Sequence, residues 1–582
     1  MSDLMKSKIK NLNKKKRFGY ISKLDDESGK DYFFLERDLV NIDFDSLHEE
    51  MEVYFYPLVR KDTKYAKEIK LDVFSTPCVQ SNEKEDSNYL FPNGKINNSE
   101  LVIGIVSPVG AESNLVIESL KNKLKLFGYE TEIIKISSIL PPFNESNKAS
   151  EYARIRHYMK QGDRFRNKTE NNSILAIGAV EKINELRDQD IEKRAFIVDS
   201  LKHPDEVELL RKIYGNGFYL FGIHADKDRR MDFLIQEKGC TPESASELIK
   251  IDENENISYG QKTRDTYHLS DFFLNLGCNN DYMKSTLQRF LELIFSNPHL
   301  NPTFDEFAMF MAFNSSVRSG DLSRQVGAVI SKNKQIIATG VNDVPSFGGG
   351  LYWAEQNPQT GKVEDFSEGK DYKRGIDSNK NTQNEIIQEI LRDSETHLSL
   401  GTEQKEKLEE ILKSSKISDL TEFGRVVHAE MEAILACGRE GIPTVDSVLY
   451  CTTFPCHNCA KHIIASGIKR VVYVEPYPKS KALEFHSESI ELKSSFDIND
   501  KICSNKVIFE PFIGVGPRRF LDLFSMNLGV GFKLKRKEKN GQISLWRDNN
   551  KAIRTPLLNQ SYVDLEKEAI SIWSNLKNDI SD

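Results

Sequence analysis

A chain of 582 residues and 66.6 kDa is too long for one hydrophobic core, so three or four domains are expected. A hydrophobic share of 39% and a charged share of 29% fit a globular chain, and a net charge of -8 excludes a protein that coats nucleic acid over its whole surface. No apolar run reaches the roughly 18 residues of a membrane helix, the N-terminus lacks a signal-peptide core, and eight Cys do not make a disulfide framework, so a reduced, cytoplasmic chain that meets no membrane is expected.

Residues 1–76 read as short strands (RFGYIS, KDYFFLE, MEVYFYPLV, KYAKEIKLDV) separated by polar turns such as DDESGK. Residues 77–100, rich in Asn, Ser, Glu and Lys, read as a linker. From 101 to 296 the pattern alternates. ELVIGIVS is a buried strand, NLVIESLKNKLKLFG an amphipathic helix and YETEIIKIS a second strand, and RAFIVDS and GFYLFGIHA continue an α/β segment. A second α/β segment, 297–531, opens on the helix FDEFAMFMAFNSSV and adds strands GAVISKNKQIIATGVN, SVLYCTT and KRVVYVEP around a polar insertion at 350–421. Residues 532–582 form a weakly patterned tail. The fold class is therefore multidomain: a small β-barrel followed by two α/β segments.

The sharpest chemical signal is GRVVHAEMEAILAC followed by YCTTFPCHNCAKHIIASG. His428, Cys456 and Cys459 offer one imidazole and two thiolates, a donor set suited to Zn²⁺ that leaves a fourth tetrahedral position open. Both motifs stand where a helix begins, so helix amides meet the anionic sulfur. Glu430, two residues after the His, is placed beside the metal without coordinating it, as a group that moves protons must be. A closed zinc knuckle with His457 as fourth ligand is the alternative. Cys437, Cys451, Cys503, Cys78, Cys240 and Cys278 have no ligand-like spacing and read as small core residues.

This H-A-E then P-C-x-x-C pattern resembles the zinc-dependent nucleobase deaminases, a resemblance that implies hydrolytic loss of ammonia from cytosine or adenine. SRQVGAVISKNKQIIATGVNDVP resembles the first hairpin of the deoxycytidylate deaminase branch, which implies that Asn342 touches the sugar or base edge; as a plain Asn-Asp turn it would do neither. Glu432 stands where that branch usually has Asn.

KRFGYI, KDYFFL and KYAKEI resemble a cold-shock domain, an OB-type barrel in which Phe18, Tyr20 and Phe33 would form a stacking face for unpaired bases. Lys6 to Lys23 carries eight Lys or Arg and no acid, a track for phosphates, although the family's first-strand Trp is missing and Leu35 replaces its usual His. GIVSPVGAESNLVIESL, with Gly104 and Gly110, sits where a phosphate loop would sit, and FIVDSLKHPDEVELLRKIYG with ADKDRRMDFLI resembles the P-loop nucleotide-kinase fold. Ala111 and Glu112 follow Gly110 in place of the phosphate-binding Lys, so the expectation is a degenerate kinase-like domain that senses a ligand or scaffolds.

Together, GIVSPVG, DSLKHPDE, GVNDVPSFGGGLYW, HAEMEAI, TTFPCHNCAKHI, VEPYPKS and EPFIGVGPRRF resemble the bacterial anti-phage dCTP deaminases. The resemblance implies free deoxycytidine nucleotides, dCTP and dCMP, as substrates, Zn²⁺ as cofactor, and Lys479, Arg518 and Arg519 as phosphate contacts; as ordinary surface or ion-pairing residues these three would carry no function. A regulatory RNA or single-stranded nucleic acid on the barrel and a homo-oligomeric assembly complete the expectation. The alternative is a nucleic-acid-editing deaminase whose barrel presents single strands.

Overall fold

A computed structural model describes residues 5–22, 31–39, 44–60, 63–70, 99–143, 150–187, 193–253, 259–277, 280–398, 400–475, 480–493, 505–527, 534–538, 540–546, 552–555, 562–563, 566–567 and 569–574. It divides into two compact units, Met1–Leu90 and Phe91–Asp582. Nearly all of the linker expected at 77–100 lies outside the described residues. Among them, no helix is long and apolar enough to cross a membrane.

The first unit is a closed five-stranded barrel of β1 (Met5–Asn13), β2 (Phe18–Ile21), β3 (Tyr32–Leu35), β4 (Glu52–Arg60) and β5 (Thr63–Lys70), in the order β1-β2-β3-β5-β4. Closure leaves no open sheet edge. Period-two alternation sends Ile9, Ile21, Tyr32, Phe34, Val53 and Phe55 inward and turns Phe18, Tyr20 and Phe33 to the outer face. Gly19 makes room for the core: a Cβ there would lie 2.6 Å from the Phe34 ring.

The second unit holds two six-stranded sheets. The first contains β6 (Leu101–Val106), β7 (Glu130–Lys135), β8 (Arg194–Asp199), β9 (Phe218–His224) and β10 (Phe272–Asn275), all parallel, with β6 between β8 and β9. β6 and β8 are buried along their whole length and β9 up to its last residue, as helices on both faces require. The second sheet starts with the antiparallel hairpin β11 (Gly327–Lys332) and β12 (Gln335–Val341). The two short strands β13 (Glu355–Gln356) and β14 (Val363–Glu364) of the insertion pair only with each other. The sheet then continues through β15 (Val448–Thr453), β16 (Arg470–Glu475), β17 (Ile490–Leu492) and β18 (Val507–Pro511), in the order β12-β11-β15-β16-β18-β17.

The sheets are tied together by the chain after β18. β19 (Gly514–Val515) leaves its own sheet and pairs antiparallel with β10 of the other. Val515 N donates to Glu306 Oε1 at 2.8 Å, and the same buried carboxylate binds Arg289 and caps the helix Phe304–Ser316. The tail, weakly patterned in sequence, is partly core: Tyr562, Ala569 and Trp573 are buried against the first sheet's helices. Arg187 donates to Glu100 Oε1 at 2.8 Å and to Glu566 Oε2 at 2.6 Å, while Tyr214 and Tyr562 hydroxyls donate to Glu566 and Glu100. Removing that guanidinium leaves two carboxylates facing each other away from water. Arg187→Met is therefore expected to lower the stability of the full chain by about 3–5 kcal/mol in a denaturant melt. A loss below about 1 kcal/mol, the level of an exposed pair, would contradict this account of the tail.

Candidate active site

The site is built at the starts of two helices. His428 is the N-cap of the helix Ala429–Arg439, and Cys456 is the N-cap of the helix His457–Ala465, where its Sγ accepts from Cys459 N at 3.4 Å. His428 Nδ1 lies 3.3 Å from both Cys456 Sγ and Cys459 Sγ, and the three donor atoms fall within 4.8 Å of one another. No other residue joins this group among those described. His457, the alternative fourth ligand, begins its helix with its ring against Phe485. Close packing holds the first helix down: a Cβ on Gly340 of β12 would lie 2.0 Å from the Ala429 carbonyl oxygen, so only glycine fits.

The electrostatics suit a cation. The hydrogen bond from Cys459 and the bond to His428 pull Cys456 down to about 4, so it carries a thiolate. His428 is pushed up to about 9 by its bond to Cys456, and burial pushes the Cys459 thiol well up. Protons therefore occupy sites that a metal would take, and loading zinc must release them. One nitrogen and two sulfur donors in this geometry fit Zn²⁺ with one position left over. Glu430 is 4% exposed beside Cys459, and burial raises its carboxyl above the ordinary range. A carboxyl so placed exchanges protons near neutrality more readily than an exposed one.

The first hairpin and the insertion meet next to His428. Asn342 is buried, its Oδ1 accepting from Val326 N at 2.7 Å and its Nδ2 donating to Arg324 O at 2.8 Å. It thus clamps the 324–326 strand entry. Asp343 exchanges backbone hydrogen bonds with Val427, next to His428, and its carboxylate holds Lys370 of the insertion in a buried ion pair. Glu432 is buried and paired with Arg439 at 2.5 Å.

The other candidates fall elsewhere. Arg519 is buried at the first sheet, donating to Phe218 O at 2.5 Å and pairing with Asp271 at 3.3 Å. Arg518 is exposed, with Arg211 and Asp271 as charged neighbours. Lys479, like Cys78, Cys278 and Cys503, lies outside the described residues. Cys240, Cys437 and Cys451 are buried in hydrophobic clusters. Gly104 is packed under Leu201 and Phe218 within β6, whereas Gly110 has φ +82 and touches Arg230. On the barrel, Phe33 lies 5.7 Å from Phe18 and 5.4 Å from Tyr20, and Tyr65 extends the cluster at 6.1 Å. Lys6, Lys8, Lys10 and Arg17 of the basic stretch are paired with acids.

Sequence reasoning missed Arg324 and Glu475. Arg324 Nη1 meets Glu475 Oε1 at 3.1 Å, and Glu475 also accepts from Thr453 Oγ1 and, through its carbonyl, from Phe454 N, two residues before Cys456. The Arg directly before QVGA was the available signal.

Residues 302–475 match the family model described as the cytidine and deoxycytidylate deaminase zinc-binding region. The deoxycytidylate deaminase of enterobacteria phage T4 is 33% identical over 173 residues, 29% of this chain and 77% of that protein. That of phage T2 is 34% identical over 173 residues, 29% of this chain and 79% of that protein. The crystal structure of the dCMP deaminase from cyanophage S-TIM5 aligns with 37% of this chain and all of that one, at 18% identity and a TM-score of 0.20. The donor set, the buried Glu430 and the phage T4 and T2 enzymes agree, and the chain belongs to the cytidine and deoxycytidylate deaminase family, the zinc-dependent hydrolytic deaminases.

Proposed function

We propose that this enzyme hydrolyses deoxycytidine nucleotides, dCMP and dCTP, to their uracil counterparts and ammonia, draining a DNA precursor as an anti-phage defence. The observation that carries the reaction is Glu430, buried beside the His428, Cys456 and Cys459 donor set. His428, Cys456 and Cys459 would hold the zinc, whose Lewis acidity makes water a nucleophile at neutral pH. Glu430 takes a proton from the attacking water and passes it to the pyrimidine. As the C4–O bond forms and the C4–N bond breaks, the amino group leaves protonated through the same carboxyl. The deoxycytidylate deaminases of phages T4 and T2 support the nucleotide class.

For the phosphates, Arg324 stands at the rim, and Lys479 and Arg518 remain proposed contacts. Arg519 does not, since Asp271 and the Phe218 carbonyl already engage it. The first sheet of the second unit, with β6 between β8 and β9, supports a kinase-like reading, and Glu112 paired with Arg229 at 2.6 Å argues against phosphoryl transfer there. The aromatic face of the barrel supports RNA or single-stranded nucleic acid as a regulator, most simply a repressor. Because four of the basic side chains of its N-terminal stretch are paired with acids, stacking should outweigh charge in that binding.

Purified protein assayed against dCMP, dCTP, CTP and single-stranded DNA tests the substrate class; turnover of the polymer alone would favour an editing enzyme. Glu430→Gln should keep its zinc and lose roughly 10²–10⁴-fold in rate, whereas Cys456→Ser should lower zinc content, both read by metal analysis beside ammonia release. Full activity of a zinc-loaded Glu430→Gln protein would refute the proton-transfer role.

In the full chain, Phe18→Ala with Phe33→Ala should weaken single-stranded RNA binding by about 1–3 kcal/mol per stacked base. Binding that survives both changes undiminished would remove the aromatic face from the account.

A further inference from the structure

The loop after β6 ends a central strand of a parallel sheet, the position where such folds take anionic ligands. In this chain it is filled from within. Asp252, fully buried at the end of the helix Pro242–Glu253, accepts from Val109 N at 2.8 Å. It also accepts from Lys202 Nζ at 2.7 Å and Thr263 Oγ1 at 3.1 Å, and Lys202 Nζ reaches Ser107 O at 2.6 Å. A carboxylate thus lies on the loop amide with a lysine beside it, as a phosphate oxygen would.

A second feature points outward to a ligand. Arg230 packs against Gly110 and is 6% exposed; its Nη2 pairs with Glu253 at 2.8 Å, while its buried Nε and Nη1 have no partner. Two unpartnered nitrogens, with three N–H groups between them, are costly on a buried cation unless something anionic meets them. Lys202, Arg230 and Arg264 bring three positive charges to two carboxylates, Asp252 and Glu253.

The plug is also wired to the catalytic unit. Thr263, bonded to Asp252, begins the helix Thr263–Tyr267, which packs on β16. Arg264 of that helix pairs with Glu253 at 3.2 Å and lies within electrostatic reach of Glu475, the last residue of β16. Glu475 in turn accepts from Arg324, the Thr453 hydroxyl and, through its carbonyl, the Phe454 amide, two residues before Cys456.

We propose that the Ser107–Gly110 loop, Lys202 and Arg230 form a site for a polyphosphate-bearing ligand that Asp252 occupies in the unliganded chain, and that exchanging one for the other moves Thr263–Tyr267 and resets Glu475 and Arg324 at the deaminase rim. Only an anion can make the exchange, because a neutral ligand would leave the largely covered Lys202 ammonium without a counter-charge. The coupling rests on the deaminase reading above; the binding site does not.

The test uses the zinc-loaded full chain, with inorganic tripolyphosphate as probe, calorimetry for binding and dCMP turnover for coupling. Asp252→Asn should bind the probe about tenfold or more tightly than the wild type, and Arg230→Met about tenfold or more weakly. Thr263→Val, which takes one hydrogen bond from the Asp252 plug, should bind the probe at least as tightly as the wild type but lose the change in turnover that the probe causes in the wild type. Equal affinity in the wild type and both charge variants, or no binding at all, would overturn the site, including the case of a probe acting only in the catalytic pocket. A Thr263→Val protein that responds like the wild type would overturn the route. If Asp252→Asn does not fold, Arg230→Met and Thr263→Val still decide both points. If the wild type deaminates no nucleotide, the reading of the zinc site fails while calorimetry still judges the plug.

Discussion

Burying negative sulfur beside a carboxyl is the constraint around which the catalytic unit is arranged. Two thiols, an imidazole and Glu430 crowd into one water-poor space, and unaided their charges would repel or neutralise. Helix starts relieve this. Cys456 accepts the Cys459 amide as an N-cap, and His428 stands at the start of the neighbouring helix, so a helix N-terminus stabilises the Cys456 anion before any metal arrives. That solution requires both helix starts to be held to a fraction of an ångström. The glycine contact between β12 and Ala429 and the passage of β15 into Pro455–Cys456 supply that rigidity.

The rigidity extends into the other sheet. Glu306 is at once the cap of the helix Phe304–Ser316, the partner of Arg289 and the acceptor for Val515 of β19. Arg519 joins Asp271, which also accepts from Leu220 N at 2.8 Å and pairs with Arg211. A deaminase sheet that lends a strand to its neighbour cannot shift independently of it. Gly514, Val515 and Arg519 of the GVGPRRF stretch therefore join the two sheets, and any ligand effect on the first sheet has a stiff path to the second.

The features legible in the sequence were those whose chemistry is local. A zinc donor set at helix starts needs His-Ala-Glu and Cys-x-x-Cys whatever the rest of the chain does, and buried strands such as LVIGIV announce themselves by composition. β1 was not legible, because MKSKIKNLN buries only Ile9 and carries no apolar alternation. The partner of Arg519 was not legible, because an Arg pair after Pro looks the same whether it meets a phosphate or a distant Asp. Asp252 and Val109 lie 143 positions apart, and Tyr214 and Glu566 lie 352 apart, so no window of sequence holds both partners.

The Lys370–Asp343 pair shows what such long-range burial is for. Taking a lysine and an aspartate out of water costs about as much as their attraction returns, so the pair adds little net stability. Its effect is on register. Asp343 is already fixed to Val427 by two backbone hydrogen bonds, and Val427 precedes His428. Lys370 reaches Asp343 from the insertion, and Asp371 beside it takes Arg425 at 2.7 Å, two residues before Val427. An insertion seated one residue out of place would strand a buried charge at the approach to the zinc ligand. The cost of that error, rather than the strength of the pair, selects a single seating for the insertion and a single position for His428.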